Sequence, residues 1–221
     1  MFGVVSAGSV EWLLVVGAGL IGLTLSPIAE LLIARRLPRL GGLPTLPVRI
    51  TTAAFTGLVC AAFSLRFEMS LTLPAFLFLA VMGVQLARID IAQHLLPNPL
   101  VILLLAGGLL LLLPPGPFDQ QAEDLLRAAL GALILFAGYL VLGLISPGGI
   151  GMGDVKLAAP VGLYLGYLGW SQLLYGGLLG FILNGLVTVL ILSRKCREKA
   201  TEVAHGPTML GALAAVSLFV S

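Results

Sequence analysis

Charged residues are scarce in this sequence. Asp, Glu, Lys and Arg make up 10% of the 221 residues, whereas hydrophobic residues make up 59%. A typical soluble domain carries roughly a quarter charged residues. A water-soluble fold of this length cannot bury so much apolar surface, whereas a bilayer removes the need to. The composition therefore excludes an ordinary soluble domain and predicts a protein whose main partner is the lipid bilayer.

Cysteine and basic residues are also few. Cys60 and Cys196 are too few for a disulfide framework and too far apart for a Cys-x-x-Cys metal site, so no metal is expected. The formal net charge of +2 gives no reason to expect a nucleic-acid partner. Only Glu11 carries a charge ahead of Trp12, so the first apolar run is interpreted as a membrane span and not as a cleavable signal peptide.

Long apolar runs dominate the rest of the chain. A helix needs about 20 apolar residues to cross a bilayer. Eight segments approach this length, over residues 12–34, 50–65, 71–87, 99–113, 125–145, 155–169, 171–192 and 207–221. The runs do not alternate with polar residues, which excludes a transmembrane barrel. The predicted fold is an all-α, polytopic membrane bundle of about eight helices, or of seven helices with a re-entrant segment because some runs are short.

Basic residues lie mostly in alternate connections. Only Arg66 and Arg127 fall on one side of the predicted bundle, and the other side holds Arg35, Arg36, Arg39, Arg49, Arg88, Lys156, Arg194, Lys195, Arg197 and Lys199. Cytoplasmic connections carry an excess of Lys and Arg. The second side is therefore predicted to face the cytoplasm.

Two acidic residues fall at cytoplasmic ends of predicted helices. Asp90 follows the third apolar run, and Asp154 precedes the sixth. The topology places both at the same depth and on the same side. Two carboxyl groups in a partly desolvated site cannot both ionise readily, so one keeps its proton. A carboxylate that accepts a proton from water, beside a carboxylic acid that polarises a carbonyl, is the arrangement that peptide hydrolysis requires.

Alternatives from other classes use the same residues or their neighbours. A proton-coupled transporter could use Asp90 and Asp154 as a relay, although relays favour mid-membrane sites along broken helices. Cys196 and His205 share one predicted loop and suggest a thiol protease, but no third group orients them. His94 is interpreted as a solvated loop residue. The aspartic protease is the favoured hypothesis.

Two motifs resemble those of the type IV prepilin peptidases, which are intramembrane aspartyl proteases of the GxGD type. Residues 151–156, Gly-Met-Gly-Asp-Val-Lys, resemble the family's G-x-G-D-x-K motif. Asp90 with Leu-Pro-Asn at 96–98 resembles the first aspartate and the motif that follows it. The resemblance implies that Asp90 and Asp154 are catalytic and that an active-site loop includes Gly151, Gly153, Lys156, Pro97 and Asn98.

Some of these motif residues have other interpretations. Glycines before Asp154 permit unusual backbone angles and the close approach of a substrate strand, yet glycine is also frequent in membrane helices. Lys156 either stabilises the charge of Asp154 or anchors the helix at the cytoplasmic face, and we slightly prefer the anchor. The resemblance covers about residues 71–192. It divides the chain into N-terminal helices (1–70), a protease core (71–192) and a C-terminal loop and helix (193–221).

The resemblance implies cleavage of the leader peptide from type IV prepilins or pseudopilins, at the cytoplasmic face of a bacterial or archaeal plasma membrane and without a cofactor. Such clients serve pili or protein secretion. Full-length family members also methylate the new N-terminus with S-adenosylmethionine. The cysteine-rich loop that those members carry is reduced here to residues 35–49, without cysteine, so methylation is not expected. A second departure is Ala204-His205, which replaces the usual Pro-Phe before Gly206-Pro207.

The predicted topology can be checked by cysteine labelling. In a background without Cys60 and Cys196, Leu43→Cys should be protected from an impermeant thiol reagent in intact cells and should react after permeabilisation. Gly116→Cys, in a predicted external connection, is the matched control and should react in intact cells. Labelling of residue 43 from outside would contradict the orientation.

Overall fold

The protein is a set of eight α-helices in the residues that its computed structural model describes, which are 7–113, 122–145, 150–194 and 204–220. The helices are α1 (Ala7–Arg36), α2 (Leu46–Phe67), α3 (Leu73–Gln93), α4 (Asn98–Leu112), α5 (Ala122–Ile145), α6 (Met152–Leu168), α7 (Trp170–Arg194) and α8 (Gly206–Phe219). A short 3₁₀ turn spans Pro38–Leu40. Each predicted apolar run corresponds to one helix, which confirms the all-α prediction.

Five of these helices are long and apolar enough to cross a bilayer: α1 from Glu11 onward, α2, α3, α5 and α7 as far as Leu190. The helices α4 and α8 are apolar but shorter. Many large apolar side chains on these helices are exposed, among them Leu58, Leu110 and Ile182. So much exposed apolar surface is unfavourable in water and favourable in lipid. The chain is a multi-pass helical membrane protein.

Prolines help to set where four of the helices begin. Pro47, Pro74, Pro99 and Pro207 lie in the first turns of α2, α3, α4 and α8. Proline suits this position because its ring fixes a helical φ angle and the first N–H groups of a helix have no partner within it. The Leu-Pro-Asn sequence at 96–98 lies at one of these helix starts, because Pro97 is the N-cap residue of α4 and Asn98 is its first residue.

The chain forms two compact units, Met1–Gln85 and Leu86–Ser221, which divide within α3. The three functional segments that the resemblance suggests, 1–70, 71–192 and 193–221, are a different division and stay a prediction. In the first unit α1 packs closely on α2. A Cβ atom at Gly22 would lie 2.7 Å from Cys60 Sγ, and one at Gly57 would lie 2.9 Å from the Gly19 carbonyl oxygen. Small residues let the two helix backbones approach.

Buried polar groups in the first unit are paired. Glu30 on α1 accepts a hydrogen bond of 3.1 Å from Arg49 Nε on α2. Gln85 Nε2 on α3 donates to Oγ of Ser26 on α1 at 3.0 Å and to its carbonyl oxygen at 3.2 Å. A buried charge or amide is unfavourable without such partners. These contacts fix the register of the helices within the unit.

The second unit is built around α6, which packs against α4, α5, α7 and α8. Eleven of its 17 residues are buried. The contact with α5 is close: a Cβ atom at Gly131 would lie 2.5 Å from the Gly162 carbonyl oxygen, and one at Gly166 would lie 2.6 Å from the Arg127 carbonyl oxygen. The central position of α6 places its first turn, which contains Asp154, inside the unit.

The α5–α6 contact generates a prediction about stability. Gly131→Ala should lower the thermal unfolding temperature of the detergent-solubilised protein, because overpacking a tight contact costs about 1–3 kcal/mol. Gly138→Ala on the same helix is the matched control, since a Cβ atom there meets nothing within 4 Å. The control should be neutral or slightly stabilising, because alanine is the better helix former. Equal unfolding temperatures for the two variants would contradict the proposed contact.

Candidate active site

Asp90 lies in the last turn of α3 and is 4% exposed. Its Oδ2 atom accepts a hydrogen bond of 3.1 Å from the backbone N–H of Gly206, the first residue of α8. A Cβ atom at residue 206 would lie 2.7 Å from Oδ2, so glycine is what allows this approach. The first N–H groups of a helix are free donors, and the positive end of the helix dipole favours a carboxylate. The α8 N-terminus therefore stabilises negative charge on Asp90.

Asp154 lies in the first turn of α6, is 9% exposed, and follows Gly151 at the helix N-cap. The pKa of its carboxyl group is raised to about 6, first by burial and second by the charge of Asp90, while a hydrogen bond with the Gly151 backbone acts in the opposite direction. Burial disfavours the charged form, and a like charge nearby does the same. Asp154 thus keeps its proton to a higher pH than an ordinary aspartate does.

Leu96 lies where the segments that carry the two aspartates meet. A Cβ atom at Gly153 would lie 3.0 Å from Leu96 Cβ, and one at Gly206 would lie 3.4 Å from Leu96 Cδ1. Gly153 precedes Asp154, and Gly206 contacts Asp90. Asp90 and Asp154 therefore lie within electrostatic range of each other inside the second unit.

The other residues that the sequence singled out lie around this pair. Lys156 Nζ on α6 donates a hydrogen bond of 2.9 Å to Asn98 Oδ1 in the first turn of α4. Pro97 is the buried N-cap residue of α4. Gly151 is exposed, and Gly153 is half-buried against Leu96. The hydrogen bond between Lys156 and Asn98 thus joins the two motifs. The close contact with Leu96 explains why a residue without a side chain suits position 153.

His94 and Cys196 were the other two residues considered at this end of the predicted bundle. His94 is exposed, adopts φ 51°, and its N–H donates to the Asp90 carbonyl oxygen at 2.8 Å, where α3 ends. Cys196, half of the thiol-protease alternative, lies outside the described residues. Within the described part of the chain, no group of three or more His, Cys, Asp or Glu side chains could hold a metal ion.

Sequence reasoning missed a buried polar pair next to the aspartates. Tyr139 on α5 is 2% exposed, and its hydroxyl lies 3.0 Å from Nε2 of His205, which is 8% exposed. Burial lowers the pKa of His205 to about 4, so its ring is neutral at neutral pH. His205 directly precedes Gly206, whose N–H donates to Asp90. The only signal in the sequence was the position of His205, directly before Gly206-Pro207.

Comparison with known proteins decides the family. The model of the type IV leader peptidase family matches residues 75–192, which is more than half of the chain. The chain belongs to the type IV leader peptidase family. This confirms the resemblance seen in the motifs. Both Asp90 and Asp154 lie in the segment that matches the leader peptidases, and His205 lies beyond it.

One curated relative of this leader peptidase family member is the prepilin leader peptidase/N-methyltransferase of Bacillus subtilis (strain 168). The two are 38% identical over 112 residues, which cover 50% of this chain and 43% of the relative. The match therefore spans less than half of that relative's length. No solved structure matches the chain.

The raised pKa of Asp154 predicts how stability depends on pH. The ordinary pKa of an aspartate is about 3.9, so the folded protein binds a proton at Asp154 more readily than the unfolded chain does. Stability from this group is then greatest below about pH 4 and is lost as the pH rises through 6. Asp154→Asn should therefore stabilise the protein at pH 8 by on the order of 2–3 kcal/mol more than at pH 4. Thermal unfolding of both proteins across this range measures the difference, and a constant difference would contradict the shifted pKa.

Proposed function

We propose that this protein is a membrane-embedded aspartic endopeptidase that removes the leader peptide of type IV prepilins or related pseudopilins. The observation that carries the proposal is the placement of Asp90 and Asp154, which are both buried, lie within electrostatic range and occupy the ends of two helices of one unit. Family membership supports peptidase chemistry. A prepilin substrate is supported by the name of the Bacillus subtilis relative.

Burial disfavours charge on both carboxyl groups and a backbone hydrogen bond offsets it at each, so only one of the two ionises readily. The Gly206 N–H and the α8 N-terminus favour negative charge on Asp90. Burial and the charge of Asp90 favour a proton on Asp154. We therefore assign Asp90 as the general base and Asp154 as the general acid of the pair.

The reaction follows from this assignment. Asp90 accepts a proton from a water molecule as the water oxygen bonds to the scissile carbonyl carbon, while Asp154 donates its proton to the carbonyl oxygen. When the tetrahedral intermediate collapses, the C–N bond breaks and the leaving nitrogen takes a proton from Asp90. The second hydroxyl of the intermediate returns its proton to Asp154, which restores the starting state. Water is consumed, and a carboxylic acid and an amine are released.

The leader is cleaved at the cytoplasmic face of the plasma membrane in this proposal. The distribution of basic residues supports this side, because ten of the twelve Lys and Arg residues fall in connections predicted to be cytoplasmic. Leader peptides of this class are short and basic and precede an apolar helix. A proton-coupled transporter would use the same carboxylates, but family membership favours the peptidase.

We further propose that cleavage is not followed by N-methylation through the route of the full-length family members. Only residues 37–45 separate α1 from α2, and three of them form a 3₁₀ turn. A cofactor pocket of about 300 Å³ or more needs a larger set of converging side chains than so short a connection provides. The segment also has no cysteine to bind a metal that could order it.

Substitution of either aspartate tests the peptidase. Asp90→Asn and Asp154→Asn should each lower cleavage of a co-expressed prepilin by at least about 10²-fold, because an amide can neither accept nor donate the required proton. Asp124→Asn is the matched control, since Asp124 lies at the start of α5 and pairs with Arg127. Mass spectrometry of the prepilin N-terminus measures cleavage. Wild-type cleavage by either active-site variant, present in the membrane at normal levels, would remove that residue from the mechanism.

The same mass spectra report on methylation. The mature product should carry an unmodified N-terminal amine. The host should contain no other enzyme of this kind. A methyl group on the N-terminal amine that appears only when this protein is present would show that the short α1–α2 connection is sufficient for methylation.

A further inference from the structure

Tyr139 and His205 form a polar contact that the proposed peptidase mechanism does not use. Their hydroxyl and Nε2 atoms are 3.0 Å apart, and both side chains are buried. Phe181 on α7 packs on this pair, with its ring 4.9 Å from the Tyr139 ring and 5.9 Å from the His205 ring. A buried hydrogen bond of this kind is unfavourable to break, because each partner would lose a contact that replaces water. The contact therefore holds the His205 ring against α5 and α7.

His205 is also fixed through its backbone. Its carbonyl oxygen accepts hydrogen bonds from Thr208 Oγ1 at 2.7 Å and from the Met209 N–H at 3.2 Å, which together start α8. The next residue, Gly206, donates its N–H to Asp90. Because the peptide unit between residues 205 and 206 is planar and rigid, the position of His205 determines where the Gly206 N–H points.

We propose that Tyr139 and His205 are positioning residues: their hydrogen bond fixes the segment that precedes α8 and so keeps the Gly206 N–H directed at the Asp90 carboxylate. The inference rests on the proposed function insofar as Asp90 acts in catalysis. Neither residue needs to contact the substrate.

The charge state of His205 agrees with this role. Among the described residues, Tyr139 on α5 bonds the His205 ring, Asp90 on α3 accepts the N–H of the next residue, Gly206, and α7 contributes the uncharged Phe181. A cationic ring beside the aspartates would favour ionisation of both carboxyl groups and would remove the shared proton. The low pKa of His205, about 4, keeps the ring neutral, so it can anchor the backbone without adding charge.

Four variants separate positioning from simple packing. Tyr139→Phe removes only the hydroxyl, and His205→Leu keeps a side chain of similar bulk without the hydrogen bond. Each should lower kcat about tenfold with little change in KM, because a misdirected hydrogen bond to a charged group is worth about this factor. The double variant should resemble each single variant, since both remove the same bond. His205→Gln retains a polar atom near Nε2 and should recover most of the activity.

The matched control is Tyr175→Phe on α7, where the tyrosine is half exposed, and it should have wild-type activity. The pH profile provides a second criterion. In Tyr139→Phe the acidic limb of kcat/KM should move to higher pH, because the carboxylate form of the pair loses a well-aligned donor. A loss of packing alone would not move this limb.

Hydrogen exchange at the Gly206 amide tests the inference without activity. Exchange should be faster in Tyr139→Phe and His205→Leu than in the wild type and in Tyr175→Phe. Unchanged exchange together with an unchanged acidic limb would overturn the positioning role, even if kcat fell. If the wild type cleaved no prepilin, the proposed function would fail, while the exchange comparison would still decide whether the pair holds the Gly206 N–H.

Discussion

The hydrogen bond from the Gly206 backbone N–H to Asp90 is the interaction on which the candidate active site depends. A carboxyl group largely withdrawn from water needs a hydrogen-bond donor in its place. The free N–H groups at a helix start meet this need without an extra side chain. The contact requires glycine at residue 206, the start of α8 at that residue, and the end of α3 near Asp90.

The second carboxyl group, that of Asp154, also lies at the N-terminal end of a helix, α6. Asp154 lies in its first turn, where the helix dipole partly offsets the cost of a buried acid. At the opposite end, Arg127 donates to the carbonyl oxygens of Gly166 and Tyr167 at 2.7 and 2.8 Å. Arg127 thus supplies the positive charge that the C-terminal end of the α6 dipole favours. The glycine contacts with α5 hold this helix close to its neighbour and so fix the depth of Asp154 in the unit.

The sequence predicted the helices and the aspartate pair because both leave local signals. Continuous apolar runs have one stable solution in a bilayer, and all eight runs became helices. Asp90 and Asp154 stood out because ionisable residues are rare in such a chain, and two motifs flank them. Their convergence followed from topology alone, since both were predicted at the same helix ends. Their catalytic role stays a prediction.

The contacts between distant polar side chains left no such signal. Lys156 with Asn98 and Tyr139 with His205 join residues 58 and 66 positions apart, and neither periodicity nor composition indicates which polar groups meet. His205 looked like a departure from the Pro-Phe that the family carries before Gly-Pro. The structure explains how the departure is accommodated. A phenylalanine needs no partner when buried, whereas an imidazole without one would cost about 1–3 kcal/mol. The Tyr139 hydroxyl supplies a partner for Nε2 of His205, so a polar ring can occupy this position and gain a hydrogen bond beside the backbone that contacts Asp90.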